Sequence, residues 1–151
     1  MSWKLILVII AVLLIVIQFI NSKLPQTADA GSQDLFVTEN VPDEVRALIS
    51  RSCYDCHSME TKYPWYSYVA PVKWIIKHDI NWGRGGVNFS DWGSLDDIDK
   101  VEKLGEISEV IEAREMPLKK YLILHPEARL TTDERQNIIL WADSTAEKYF
   151  E

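Results

Sequence analysis

The chain has 151 residues, with 16 Lys and Arg against 23 Asp and Glu and a net charge of −7 at neutral pH. That length allows one domain with an appendage, and the acidity argues against nucleic acid and anionic lipid surfaces as partners. Two cysteines cannot carry the stability, so the core has to come from the apolar residues, which include six tryptophans.

The N-terminal stretch from Leu5 to Ile20 reads LILVIIAVLLIVIQFI, with Gln18 as its only polar residue and no charge. As a helix this run covers roughly 24 Å, just under the thickness of a hydrocarbon core, and Trp3, Lys4 and Asn21 can sit at the interfaces. Residues 1–22 are read as an N-terminal transmembrane helix acting as membrane anchor or signal-anchor, with the short basic terminus inside. A cleaved signal peptide is the rival reading, because Ala28-Asp29-Ala30 has the small-x-small form. That site lies far beyond the apolar run, which favours an uncleaved anchor. Residues 23–35 contain Pro, Gly, Ser and Thr without an apolar period, so the spacing predicts a flexible linker. Residues 36–151 form the exported domain.

The first predicted helix lies in VPDEVRALISRSCYDCHS. Pro42 suits a first helical position, Asp43 and Glu44 complement the positive end of the dipole, and Val45, Leu48, Ile49 and Ser52 recur at helical spacing. An aromatic-rich segment follows, helical from Val72 to Ile80, with Gly83, Gly85 and Gly86 marking a turn. Ser94, with Asp97 three residues on, opens a third helix whose apolar series is Ile98, Val101, Leu104, Ile107 and Ile111. It must stop before Pro117. A last helix opens at Thr131, with Glu134 completing a capping box, and carries Ile138, Ile139, Trp141, Ala142, Ala146 and Tyr149. No alternating strand pattern is present, so the fold class is all-α.

Both cysteines fall in RSCYDCHSMETKYPWY, as Cys53-Tyr54-Asp55-Cys56-His57. On a helix these positions share a face, so Cys53, Cys56 and His57 project together from the end of the first helix. Two such thiols can each add across a haem vinyl group, leaving the imidazole placed to bind iron. Competing readings are weaker. A redox dithiol wants a βαβ setting, and zinc needs two further ligands, for which only His78 and His125 are available among nitrogen donors. A disulfide here closes too small a loop to stabilise much. The cofactor read from the motif is one haem c, covalently held through Cys53 and Cys56.

Further motifs occur in order along the domain: Tyr63-Pro64-Trp65-Tyr66, Pro71-Val72-x-Trp74, His78, Gly83-Arg84, Asn88-Phe89-Ser90-x-Trp92, Glu115-Met116-Pro117 and His125-Pro126-Glu127-Ala128-Arg129-Leu130. Together with the cysteine motif, they resemble the bacterial haem-binding domain family of small, usually membrane-anchored, cytochrome-c-like proteins. The resemblance spans roughly Phe36 to Tyr149 and implies a cytochrome-c-like helical domain around one covalent haem.

His57 supplies one axial ligand. Met116 is the expected other, since it lies in a loop between two predicted helices and is followed by Pro117. The stretch from Met116 onward also looks like the closing part of small class I cytochromes c. Histidine–methionine ligation suits electron transfer because it raises the potential. His78 is the alternative, with His125 behind it. By likeness to class I cytochromes, Pro71 is expected to accept the ring N–H of His57 on its carbonyl. Arg84 is expected to pair with a haem propionate. One or two of Trp65, Trp74, Trp82 and Trp92 should line the haem pocket.

The function expected from these residues is a membrane-tethered c-type cytochrome on the periplasmic face of the cytoplasmic (inner) membrane, exchanging electrons with redox proteins of an electron-transport chain. A peroxidase-like haem enzyme or a diatomic-gas sensor would instead need an open or displaceable sixth ligand. Lys119 and Lys120 are read as solvated loop residues before they are read as a docking patch.

Overall fold

The structure is a computed structural model that describes residues 2–20 and 22–150. Helices α1 (Trp3–Val16), α2 (Leu35–Thr38), α3 (Asp43–Ser52), α4 (Tyr54–His57), α5 (Val72–Gly86), α6 (Asp97–Glu112) and α7 (Thr132–Glu147) are joined by short 3₁₀ turns. No strand occurs among the described residues, as expected for an all-helical chain.

The pair α6 and α7 forms the backbone of the domain. The two helices run antiparallel. Arg135, at the start of α7, donates to the Ile111 carbonyl near the end of α6 at 3.1 Å, while Lys100 near the start of α6 lies over the Tyr149 ring beyond the end of α7, at 5.3 Å. Helix α3 packs on α7 and α4 packs on α5. Leu104, Ile111, Ile138, Trp141 and Ala142 from the antiparallel pair meet Val45, Leu48 and Ile49 of α3 in a single core. Each such large side chain, removed from water, contributes about 1.5–3 kcal/mol.

Local chemistry sets the helix starts. Thr131 and Glu134 make the reciprocal capping box that opens α7. Helix α6 starts later than Ser94. Asp96 caps it by accepting the Asp99 N–H at 2.8 Å, and Ser94 instead donates to the Asp91 carbonyl within the turn Phe89–Ser94. Ile98, assigned to the apolar stripe, is 79% exposed, and the first turn of α6 instead meets its neighbours through Lys100, which pairs with Glu39 and lies over the Tyr149 ring.

The glycine-marked turn is not a turn. Helix α5 runs through Gly83, Gly85 and Gly86. A Cβ at Gly83 would stand 2.7 Å from the Cys56 carbonyl oxygen, so this glycine exists to let α5 approach the cysteine motif closely.

The expected transmembrane helix is not met as drawn. Helix α1 has 14 residues and is followed by a 3₁₀ turn, Ile17–Phe19. Among the described residues no helix is long and apolar enough to cross a membrane. The helical ladder gives way where Gln18 engages the domain. Its amide bonds both the carbonyl (3.0 Å) and the N–H (2.9 Å) of Ala70.

Residues 22–30 contain neither helix nor strand, yet they lie along the domain. Tyr63 donates to the Pro25 carbonyl, Arg84 to the Gln26 carbonyl, and the Ala28 N–H to the Met59 carbonyl, each at 2.8 Å.

Candidate functional site

The cysteine motif occupies a break between two helices. Helix α3 ends at Ser52, and Cys53 has φ −129° and ψ −38°. The chain then re-enters a single helical turn, α4. The motif is therefore not a plain continuation of α3, yet the Cys53 carbonyl accepts the N–H groups of Cys56 (3.1 Å) and His57 (2.9 Å), so the three residues stand on one turn. Cys53 borders a cavity of about 570 Å³, and Cys56 borders a smaller one of about 170 Å³.

His57 borders the larger cavity. Its Nδ1 lies 3.2 Å from the Val87 carbonyl oxygen, and its ring packs at 5.9 Å from that of Phe89. Burial holds the imidazole below its ordinary pKa, opposed in part by backbone bonds to Val87 and Gly83, so the ring is neutral at pH 7. With Nδ1–H donated to Val87, Nε2 keeps its lone pair for a ligand. Pro71 does not make this bond. Its carbonyl accepts the Trp74 N–H at 3.0 Å within the first turn of α5.

Met116 borders the same cavity as His57 and Cys53. It follows α6 in a loop pinned by Arg135, which donates to the Met116 carbonyl at 2.8 Å. The remaining walls are mostly apolar: Ile49, Val87, Phe89, Ile107 and Ile138, with Trp82 alongside and Lys103, Glu106 and Glu109 also contributing. Gly85 and Gly86 border it too, and a Cβ at either would meet only open space. Sequence reading missed Val87, since a carbonyl partner leaves no side-chain signature, and it mistook the two glycines for a turn.

The other candidates lie elsewhere. His78 is exposed, pairs with Asp79 at 3.3 Å and borders neither cavity. His125 belongs to the smaller cavity. Its Nε2 lies 2.6 Å from the Tyr66 hydroxyl, its Nδ1 faces Glu127 at 3.1 Å, and its ring stacks on Tyr121 at 4.1 Å. Arg84 does not reach the larger cavity. Its three nitrogens donate to the Ser58 and Gln26 carbonyls and to the Thr61 hydroxyl. Of the tryptophans named from sequence, Trp82 borders the cavity and Trp92 is core, donating to Glu39 at 2.9 Å. Trp65 is exposed, and Lys120 is tied to Asp79.

These residues suit a flat, largely apolar ring system bearing a metal. The volume falls within the range of small-molecule cavities, ~300–1,000 Å³. Bare backbone at Gly85 and Gly86 gives a planar wall room, and an imidazole and a thioether share the space. A thioredoxin-like dithiol fits poorly, because burial pushes both thiols up to about 12 whereas such chemistry needs a depressed thiol pKa. Zinc fits no better. Among the described residues no group of three or more His, Cys, Asp or Glu gathers to hold a metal ion.

Comparison with known proteins agrees with that geometry. A family model described as "Haem-binding domain" matches residues 12–144. A stretch of 106 residues is 26% identical to the cytochrome c peroxidase Ccp of Escherichia coli (strain K12). It takes in 68% of this chain and 23% of that protein, so the chain spans less than a quarter of that relative's length. No solved structure matches the chain.

Proposed function

The chain belongs to the haem-binding domain family, and on that premise we propose that it is a c-type cytochrome that carries electrons on the outer face of a membrane. The observation that carries this reading is the convergence of His57, Met116 and Cys53 on one cavity. Bound there, haem would supply a one-electron iron couple. Cys53 and Cys56 would each add a sulfur to one vinyl carbon and a hydrogen to the other, making two thioethers. His57 would offer Nε2, with its ring held by Val87. Met116 would offer its sulfur from a loop held by Arg135. The chain's task is to hold, orient and tune the cofactor.

The apolar helix α1 supports a tether. None of its residues is buried against the domain, and a helix apolar on every side finds stable cover in lipid. With the following 3₁₀ turn the apolar segment reaches roughly 27 Å, close to a hydrocarbon core. In this reading the domain faces the periplasm from the inner membrane, and its partners are redox proteins of an electron-transport chain.

A second reading rests on the likeness to a cytochrome c peroxidase. Peroxide chemistry would require Met116 to leave its position and a proton-transfer group to serve the vacated side. Glu106 and Glu109 are the carboxylates at the cavity.

The test is an absorption spectrum of the chain made in a host with c-type haem maturation. The carrier reading expects haem that resists acid–acetone extraction, low-spin in both oxidation states, with a weak ferric methionine–iron band. A high-spin ferric haem with peroxide turnover would establish the second reading, and absence of covalent haem would overturn the c-type assignment.

A further inference from the structure

Where α1 meets the domain, a side chain joins the two. Gln18, the only polar residue in the apolar run, both donates to and accepts from the backbone of Ala70. Just before Ala70, the 3₁₀ turn Trp65–Tyr68 and the residue after it leave Trp65 78%, Tyr68 61% and Val69 41% exposed. Three large apolar groups in water beside the exit of an apolar helix are costly unless something covers them.

The chemistry of this patch selects its cover. Tryptophan and tyrosine, each an apolar ring with a polar N–H or O–H, are the side chains enriched at the headgroup level of bilayers. Charge agrees. The chain is acidic overall, yet residues 61–78 contain Lys62, Lys73 and Lys77 and no carboxylate. No acidic side chain from this stretch would be pressed against lipid phosphates or stripped of water.

We infer that the face made by Trp65, Tyr68 and Val69 rests in the headgroup layer of the same bilayer that holds α1, and that Gln18 is the clip that sets this orientation. The inference rests on the tether reading above. It makes the domain a body docked on the membrane, not one swinging on a leash.

The test uses the full-length holoprotein in neutral phosphatidylcholine vesicles with plain or brominated acyl chains. The ratio of tryptophan emission in the two vesicles cancels quenching within the protein. Trp3→Phe removes the reporter at the start of α1, and Trp65→Phe removes the one on the docking face; both side chains are exposed, so neither change disturbs the core. Docking predicts bromine-dependent quenching that persists in Trp3→Phe, declines in Trp65→Phe and vanishes in the double variant. Gln18→Ala should lose the Trp65 contribution and keep that of Trp3. Quenching that disappears with Trp3→Phe and ignores Trp65→Phe would overturn docking while leaving the tether intact. A Trp65 contribution that survives Gln18→Ala would overturn the clip. A chain that neither floats with the vesicles nor shows any quenching would remove the tether reading and the docking with it.

Discussion

The Nδ1 atom of His57 lies 3.2 Å from the main-chain oxygen of Val87, the first residue beyond α5. A ring on the cysteine turn is thereby oriented by the end of a helix that arrives from much later in the chain. What permits this is Gly83, one turn earlier, where α5 comes so close to Cys56 that a Cβ would lie 2.7 Å from its carbonyl oxygen. The orientation of the His57 ring and the helix's proximity are one packing fact.

Gly83→Ala tests it. Alanine gains about 1 kcal/mol of helix propensity, but the new methyl meets backbone oxygen, and overpacking of that kind costs about 1–3 kcal/mol. The expected outcome is net destabilisation, with α5 displaced and the His57–Val87 bond weakened. A weaker bond lowers the basicity of the imidazole and raises the reduction potential of the haem protein. Thermal unfolding and potentiometry check both. A variant with unchanged midpoint temperature and potential would show that the approach of α5 does not position His57.

Met116→Ala removes the thioether from the cavity and leaves a void beside the core against which Met116 packs. Truncating a fully buried methionine costs about 2–5 kcal/mol, and this half-buried one should fall near the lower end. The ferric haem should turn from low-spin to high-spin, or to a form ligated by water. An unchanged oxidised spectrum would remove Met116 as a ligand.

The thiols distinguish haem attachment from dithiol chemistry in the chain before haem is added. Burial, the largest effect at each sulfur, pushes Cys53 and Cys56 from 9.0 up to about 12. A thiol whose pKa is raised holds less thiolate at every pH below that value, and only thiolate reacts. At pH 8 the folded chain should therefore alkylate with iodoacetamide roughly a thousandfold more slowly than it does in urea, the rate rising about tenfold per pH unit. Native-state alkylation as fast as in urea would bring the dithiol reading back.

How much of this was legible beforehand varies with the range of the physics involved. The Thr131–Glu134 box is local chemistry within one helical turn, and it stands as read. The buried face of α3, with Val45, Leu48, Ile49 and Ser52, follows from periodicity alone. Periodicity failed at Ile98, because at the first turn of α6 it is Lys100, paired with Glu39 and lying over Tyr149, that meets the neighbouring elements, which spacing does not show. Propensity failed at Gly83, Gly85 and Gly86, where tertiary approach and an open cavity wall outweigh the helix-breaking tendency of glycine. Met116 was named from its loop position before Pro117 and from the likeness to class I cytochromes c, and it borders the cavity that His57 borders. His78, the alternative, is exposed and borders neither cavity, which spacing could not show, since exposure of one position on α5 is not written in it. The partner of His57 was the least accessible of all, a carbonyl that any residue at position 87 would supply.

Arg84 shows the same limit for a charged residue, and its replacement makes the sharpest separation between cofactor and scaffold roles. Its guanidinium joins the Gln26 carbonyl to the Ser58 carbonyl and the Thr61 hydroxyl, so it fastens residues 22–30 across the loop that follows the cysteine motif. A hydrogen bond from a charged donor contributes about 1.5–3 kcal/mol. Losing the one to Gln26 should raise the open population of the segment roughly tenfold or more, with Tyr63 and Met59 still holding their ends. In Arg84→Ala, trypsin should cut after Lys23, which lies in that segment, faster by a similar factor, while the haem spectrum and potential stay as in the parent. The opposite pattern, an altered spectrum or potential with unchanged cleavage, would return Arg84 to the role of propionate partner and place the strap's stability elsewhere.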